Sequence, residues 1–321
     1  MRNFVIDTDT ASDDAVAILM ALAAPDVKVL AMTTVAGNVG VEQATRNALY
    51  TAEVAGAEIP VHVGAAAPLD RRHLNAHWFH GRDGFGDQNY PEPKRKPEPE
   101  LAIDALARIA REAPGLTLVT LGPLTNIALA LARDPAFARN VGRCVVMGGA
   151  PCCEGNVTPA AEYNIWVDPE AARRVFRSGL PIEMVGWHVS RGRSVLSNAE
   201  CDEIAGFGTK KARFAIDCNR RAREAYFVQT GEVGLSLADP AAMAVALDRE
   251  IGLSWSRHFV EIECASELTR GMTVVDRLNV AAHDQNNGVA WRDALADGHK
   301  ADICWTYDAD GYKTMLKRAL A

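Results

Sequence analysis

The chain has 321 residues, of which 48% are hydrophobic and 23% charged, and a formal net charge of −7. This composition points away from disorder and from a membrane-embedded chain. The acidic balance, with no basic stripe interleaved by aromatics, argues against nucleic acid as a partner. The longest apolar run, Ala15 to Pro25, is too short for a bilayer, so no membrane partner is expected. No signal-peptide pattern precedes the first strand, so a cytoplasmic location is expected. The seven cysteines show no paired spacing, and Cys152-Cys153 is an adjacent pair rather than a zinc-type Cys-x-x-Cys. Reduced thiols are expected.

Phe4-Val5-Ile6 reads as a buried strand, and Ala15 to Leu22 as an apolar helix. Between them lie Asp7, Asp9, Asp13 and Asp14, four carboxylates on one strand-to-helix turn. A helix N-terminus tolerates one or two acids. Four repel too strongly, and a hard cation with oxygen ligands would relieve them. Val27 to Val35 is a second strand, ending in the turn Ala36-Gly37-Asn38-Val39-Gly40. A helix over Val41 to Ala55 and a short strand at Pro60 to Val63 follow. This β-α-β-α-β order predicts a parallel sheet with helices on its faces.

Residues 70–99 interrupt the pattern. They hold His73, His77 and His80, with Trp78 and Phe79, and then a proline-rich run from Tyr90 to Pro99. The histidine spacing could serve a metal on a helix, but no Glu accompanies it in a His-Glu-x-x-His order. A long irregular stretch is often functional, which raises the question of closure over a ligand.

Glu100 to Ala113 reads as a helix, Leu116 to Leu121 as a strand, Ile127 to Arg133 as a helix, and Arg143 to Met147 as a strand closed by Gly148-Gly149. Asp168-Pro169 starts a helix, with Asp168 as cap. Glu162 and Asn164 flank Tyr163, and in extended backbone they would point the same way and could hold vicinal hydroxyls. A strand is expected over Ile182 to Val189, helices over Ser197 to Phe207 and Lys210 to Gln229, and a helix over Ala241 to Leu247 with Asp239 as its cap. Segments 258–264 and 272–276 alternate like an antiparallel pair, Ala301 to Tyr307 is a strand, and a last helix closes the chain. No internal repeat and no linker divides the sequence, so residues 1–321 are read as a single α/β domain.

Seven short motifs now occur in one order: Asp7-Thr-Asp9-x-x-x-Asp13-Asp14, Ala36-Gly-Asn38-Val, His80-Gly-x-Asp-Gly84, Leu121-Gly-Pro-Leu-Thr-Asn126, Met147-Gly-Gly, Glu162-x-Asn164-x-x-x-Asp168-Pro-Glu and Asp239-Pro. In this the chain resembles the nucleoside hydrolases, the inosine-uridine-preferring superfamily. The resemblance implies a mixed, mainly parallel sheet flanked by helices, with a Rossmann-like core. It also implies Ca²⁺ and hydrolysis of the N-glycosidic bond of ribonucleosides to free base and ribose. Position by position, it implies Ca²⁺ on the carboxylates of Asp9, Asp14 and Asp239 and on the Leu121 carbonyl. Asp9 would be the catalytic base. Asp13, Asn156, Glu162 and Asn164 would hold the ribose, with Asn38 and Met147 in the site and His80 near the base. Tyr163 and Tyr226, like Trp78 and Phe79, are possible stacking partners. A homodimer or homotetramer is also implied.

The residue types suit that reaction. N-glycoside cleavage builds an oxocarbenium-like sugar, so it needs fixed negative charge, an activated water and a leaving base made less basic. Two departures from the family pattern stand out. Thr10-Ala11 replaces a usual Pro-Gly. Ala238 stands immediately before the last metal aspartate, where relatives carry a His as leaving-group acid or a Trp that stacks the base. His80 and His188 are the alternative acids. Ala238 also motivates two other readings: a hydrolase of another N-ribosyl compound with a modified or charged base, or a catalytically reduced protein that binds ribose or metal.

Overall fold

The computed structural model describes residues 1–282 and 299–321. Strand β1 (Arg2–Thr8) is buried along its last five residues. A continuous apolar run of this kind marks a strand covered on both faces. It lies inside an eight-stranded sheet with β2 (Val27–Thr34), β3 (Val61–Val63), β4 (Leu116–Thr120), β5 (Val141–Met147), β6 (Ile182–Val185), β7 (Gly252–His258) and β10 (Ala301–Tyr307). The order is β3-β2-β1-β4-β5-β6-β10-β7. Every neighbouring pair is parallel except β10 with β7, which is antiparallel. The mixed, mainly parallel sheet expected from the sequence is therefore present.

The order places the site. From β1 the chain winds outward through β2 to β3, then returns to the other side of β1 and winds outward through β4, β5 and β6. The direction reverses between β1 and β4, and ligands in such sheets bind in the crevice beyond the carboxyl ends at this reversal.

Helices cover both faces. In chain order they are α1 (Ser12–Ala23), α2 (Val41–Ala55), α3 (His77–His80), α4 (Ala102–Glu112), α5 (Thr125–Arg133) and α6 (Phe137–Asn140). Then come α7 (Tyr163–Val167), α8 (Pro169–Phe176), α9 (Asn198–Ala205), α10 (Lys210–Cys218), α11 (Arg220–Thr230), α12 (Ala238–Leu247) and a closing helix, Ala309–Leu320. One core joins α1, α2, α12 and the closing helix to the sheet through Phe4, Ile6, Leu19, Met243 and Tyr312. The other joins α4, α5 and α8 through Val5, Leu106, Leu118, Ile127 and Val175. Adjacent residues of β1 thus enter opposite cores, as the two-residue period of a strand requires.

Several boundaries differ from the sequence expectations. The strand expected over Ile182 to Val189 stops at Val185, and Trp187–Ser190 forms a 3₁₀ turn. Gly186 makes the turn possible, because a Cβ there would lie 2.6 Å from Pro151 Cδ and 2.9 Å from the Gly149 oxygen. The helix expected over Lys210 to Gln229 breaks at Asn219. Asp239 is not a cap: α12 starts at Ala238 with Leu237 at its N-cap, leaving the Asp239 carboxylate in the first turn. Asp168 does cap α8, accepting from the Ala171 amide at 3.0 Å. Val260–Ile262 and Thr273–Val275 form the anticipated antiparallel pair, β8 and β9, as a small separate sheet. Strand β7 went unrecognised because none of its five interior residues is buried. No described helix is long and apolar enough to cross a membrane.

Candidate active site

The turn after β1 is braced by side chains. Thr8 Oγ1 donates to Asp14 Oδ1 at 2.5 Å, and the Ala11 amide donates to Asp14 Oδ2 at 2.8 Å. The Thr10 amide donates to Thr8 Oγ1, and Asn47 Nδ2 donates to the Thr10 carbonyl at 2.9 Å. These bonds hold Thr10-Ala11 in the turn without the usual Pro-Gly, with Ala11 in extended backbone. Asp7 accepts from Thr33 Oγ1 at 2.5 Å and from Asn126 Nδ2 at 2.8 Å. It lines no part of the cleft described below. Burial pushes its carboxyl up to about 7.

The remaining acids converge. One carboxylate oxygen from each of Asp13, Asp14 and Asp239 lies within 4.8 Å of the other two. Asp13 and Asp14 occupy the first turn of α1 and Asp239 that of α12, so two helix N-termini face the cluster. Asp9 stands beside this trio. Its Oδ2 accepts from the Asn38 amide at 2.5 Å, while Oδ1 is buried and has no partner. Asp13 Oδ1 is likewise buried and unpartnered. Burial raises the carboxyl pKa values of Asp9, Asp14 and Asp239, and repulsion from neighbouring carboxylates, Asp13 in each case among them, raises them further, Asp14 to about 7. Concentrated buried carboxylates with unpartnered oxygens fit a hard cation. Gly37 and Gly122 let backbone close on Asp9: a Cβ would lie 2.1 Å from Oδ2 at Gly37 and 2.7 Å from Oδ1 at Gly122.

This cluster opens onto a cleft through Asp13 and Asp239. Asp13, Asn38, Leu121, Met147, Asn156, Glu162, Tyr163 and Asn164 line it beside Asp239. The extended-backbone argument for Glu162 and Asn164 does not hold, because Glu162 is the N-cap of α7. Its carboxylate accepts from the amides of Asn164 and Gly149, each at 2.8 Å, and from Ile165 at 3.3 Å. Asn164 Nδ2 donates to the Leu121 carbonyl at 2.8 Å and contacts Met147 Sδ at 3.2 Å. Asn156 Oδ1 accepts from the Tyr163 amide at 2.9 Å. The Tyr163 hydroxyl sits 2.8 Å from the carbonyls of Gly37 and Leu74.

The lining also carries the aromatic side chains of Trp78, Phe79, Trp187 and Tyr226, beside Ala76, His80, Ser190, Gln229, Ser236 and Ala238. His80 Nδ1 lies 2.9 Å from Ser12 Oγ and 3.8 Å from Asp13 Oδ1. The Tyr226 hydroxyl donates to Glu232. His188 does not line the cleft. Its Nε2 meets the Cys304 carbonyl at 3.1 Å, and burial holds its pKa down. Nor do His73, His77 and His80 gather as ligands: among the described residues the only such cluster is the aspartate trio. His73 Nε2 instead meets the Gly37 carbonyl at 2.7 Å, and the Ala76 amide donates to the Asn38 carbonyl at 3.0 Å. Segment 73–80 is thereby tied to the turn that holds Asp9. Trp187, Ser190, Gln229 and Ser236 escaped the sequence reading. For Trp187 a signal existed, since it follows the carboxyl end of a parallel strand.

The family profile described as inosine-uridine preferring nucleoside hydrolase matches residues 4–314. The chain is 36% identical to uridine nucleosidase 1 of Arabidopsis thaliana over 99% of this chain and 93% of that one. Among solved structures, a plant nucleoside hydrolase superposes with a TM-score of 0.92 at 33% identity, covering 99% of this chain and 98% of that one. A purine-preferring ribonucleoside hydrolase from Gardnerella vaginalis gives 0.88 at 29% identity, with the same coverage. The motifs, the sheet order and the carboxylate-floored cleft agree with this match: the chain belongs to the inosine-uridine preferring nucleoside hydrolase family, whose members are N-glycosyl hydrolases.

Proposed function

We propose that this nucleoside hydrolase works with Ca²⁺, held by the carboxylates of Asp9, Asp14 and Asp239 and by the Leu121 carbonyl. The observation that carries the reading is the buried acid cluster, with unpartnered oxygens on Asp9 and Asp13, which reaches the cleft through Asp13 and Asp239. When bound, a hard divalent cation lowers the pKa of an adjacent water and accepts vicinal hydroxyls as ligands. Asp9 Oδ1, free of protein donors, is the oxygen that takes the proton of the attacking water. Asp13, Asn156, Glu162 and Asn164 hold the ribose hydroxyls, and their charge and dipoles stabilise the developing oxocarbenium ion. With Nδ1 turned to Ser12, His80 has Nε2 to offer the departing base. Tyr163, Tyr226, Trp78 and Phe79 supply aromatic faces, and Asn38 and Met147 close the floor. Similarity to a uridine nucleosidase favours a pyrimidine riboside as the first substrate to try.

Ala238 supports a second reading, in which the natural leaving group is a modified or pre-charged base that departs without protonation. One experiment separates the two. Ribose release is measured across purine, pyrimidine and pyridinium ribosides, with Ca²⁺ and with chelator. Turnover of uridine or inosine that is lost in chelator and restored by Ca²⁺ supports the first reading. Turnover confined to a charged-base riboside supports the second. No ribose from any substrate overturns both.

A further inference from the structure

We infer that Ser12 and Asn219 form a positioning relay that aims His80 at the leaving base. The inference rests on the reading of His80 given above. Ser12 is fully buried at the first position of α1. Its two oxygens face different partners. The hydroxyl lies 2.9 Å from His80 Nδ1, and the carbonyl accepts from Asn219 Nδ2 at 2.9 Å.

Asn219 is also fully buried. It stands at the break between α10 and α11, and Nδ2 donates a second time to the Ala215 carbonyl at 2.9 Å. Beyond the break, α11 carries Tyr226 and Gln229 to the cleft and packs against α3, the helix of His80. One side chain therefore fixes the start of α1 against the element that builds the base half of the site.

The consequence for His80 follows from the chemistry of a hydroxyl, which donates or accepts as required. Ser12 Oγ accepts from Nδ1–H of an imidazolium and still accepts after Nε2 has given up its proton. The ring thus keeps one hydrogen bond and one orientation across the proton transfer. Nε2 has no protein partner among the described residues, and the ring lines the cleft. Asp13, the other polar group facing the ring, is 3.8 Å from Nδ1, beyond hydrogen-bond length. Orientation of this ring therefore falls to Ser12.

The test reads leaving-group dependence, which a merely structural role would not move. Ser12→Ala, Ser12→Thr, Asn219→Ala and His80→Gln are compared on uridine and 5-fluorouridine, whose base is the better leaving group, and on nicotinamide riboside, whose base leaves without protonation. Ser12→Ala is expected to lower kcat on uridine about tenfold to a hundredfold, by analogy with the loss of a group that orients a metal-bound histidine. The loss should shrink on 5-fluorouridine and vanish on nicotinamide riboside, and Ser12→Thr should restore most of it. Asn219→Ala should follow the same ranking with a smaller loss. Equal loss of Ser12→Ala on all three substrates, or none, overturns the relay. If His80→Gln itself shows no leaving-group dependence, the role assigned to His80 fails. If His80→Gln shows it and Ser12→Ala does not, only the relay fails.

Discussion

The Asn38 amide donates to Asp9 Oδ2 at 2.5 Å, while Asp9 Oδ1 is buried with no protein partner. The two oxygens of one carboxylate therefore differ: one is anchored by backbone and the other is left for ligand or water. Asp9→Asn keeps the anchor if its carbonyl oxygen takes the Oδ2 position, and removes the proposed base. Turnover should fall about 10²- to 10⁴-fold, the usual contribution of a general base. Equilibrium binding of a riboside should survive. Unchanged kcat in steady-state assays would remove Asp9 from the chemistry.

The ligand set is separable by titration calorimetry with Ca²⁺. Asp14→Ala and Asp239→Ala should abolish binding, because each deletes a buried carboxylate from the cluster. Asp13→Ala should retain the ion and raise KM, since Asp13 is the acid assigned to the sugar. Lost Ca²⁺ in Asp13→Ala with retention in Asp9→Asn would move the ion to the trio of Asp13, Asp14 and Asp239.

Proton competition sets the pH dependence. Burial first, and repulsion second, hold Asp9, Asp14 and Asp239 above the ordinary carboxylate range in the ion-free protein. Between the ordinary carboxylate range and these raised values the fold binds more protons than the unfolded chain, so the ion-free protein loses stability as pH rises through that window, up to about 7 for Asp14. A bound cation needs the ionised carboxylates and offsets that loss. The gain in Tm on adding Ca²⁺ should therefore be larger at about pH 8 than at about pH 5.5. Equal gains at both pH values would mean that these carboxylates do not bind the ion.

Gly122→Ala tests the close approach to Asp9. The added Cβ would lie 2.7 Å from Asp9 Oδ1 and 3.0 Å from its backbone nitrogen. Either the carboxylate or the Leu121-Gly122 backbone must shift. About a hundredfold loss of kcat is expected, the order reported for an ångström-scale misplacement. Wild-type kcat in a folded Gly122→Ala protein would contradict the packing described.

Asn126→Ala tests the support beneath the turn. Asn126 Nδ2 donates to Asp7 Oδ2 and the Thr34 carbonyl, and Oδ1 accepts from the Ala65 amide at 2.9 Å. Losing these buried partners should cost about 1–3 kcal/mol. The urea midpoint should drop with an unchanged m-value. A midpoint within error of wild type would show that Asp7 needs no such brace.

Much of this protein is legible from sequence. The short buried strands, the β-α alternation and the acid cluster after the first strand are local patterns, fixed by side-chain period and charge repulsion. They identified the family, and the residues expected to hold the ribose, Asp13, Asn156, Glu162 and Asn164, do line one cleft. What went astray depends on contacts distant in sequence. Glu162 appeared to lie in extended backbone, but it caps a five-residue helix that no periodicity announces. The break at Asn219 is stabilised by Ser12, 207 positions away, so the helical pattern ran through it. His188 and Trp187 are neighbours in the chain, and only the 3₁₀ turn after Gly186 directs the tryptophan into the cleft and the histidine toward Cys304. The sequence by itself determined the sheet class and the gathering of carboxylates at one strand end, because both follow from local composition. The tertiary structure decided which of the aromatic candidates meet in one cleft with Trp187, Ser190, Gln229 and Ser236, because those walls come from α3, α11 and the turn at Trp187, brought together only by packing.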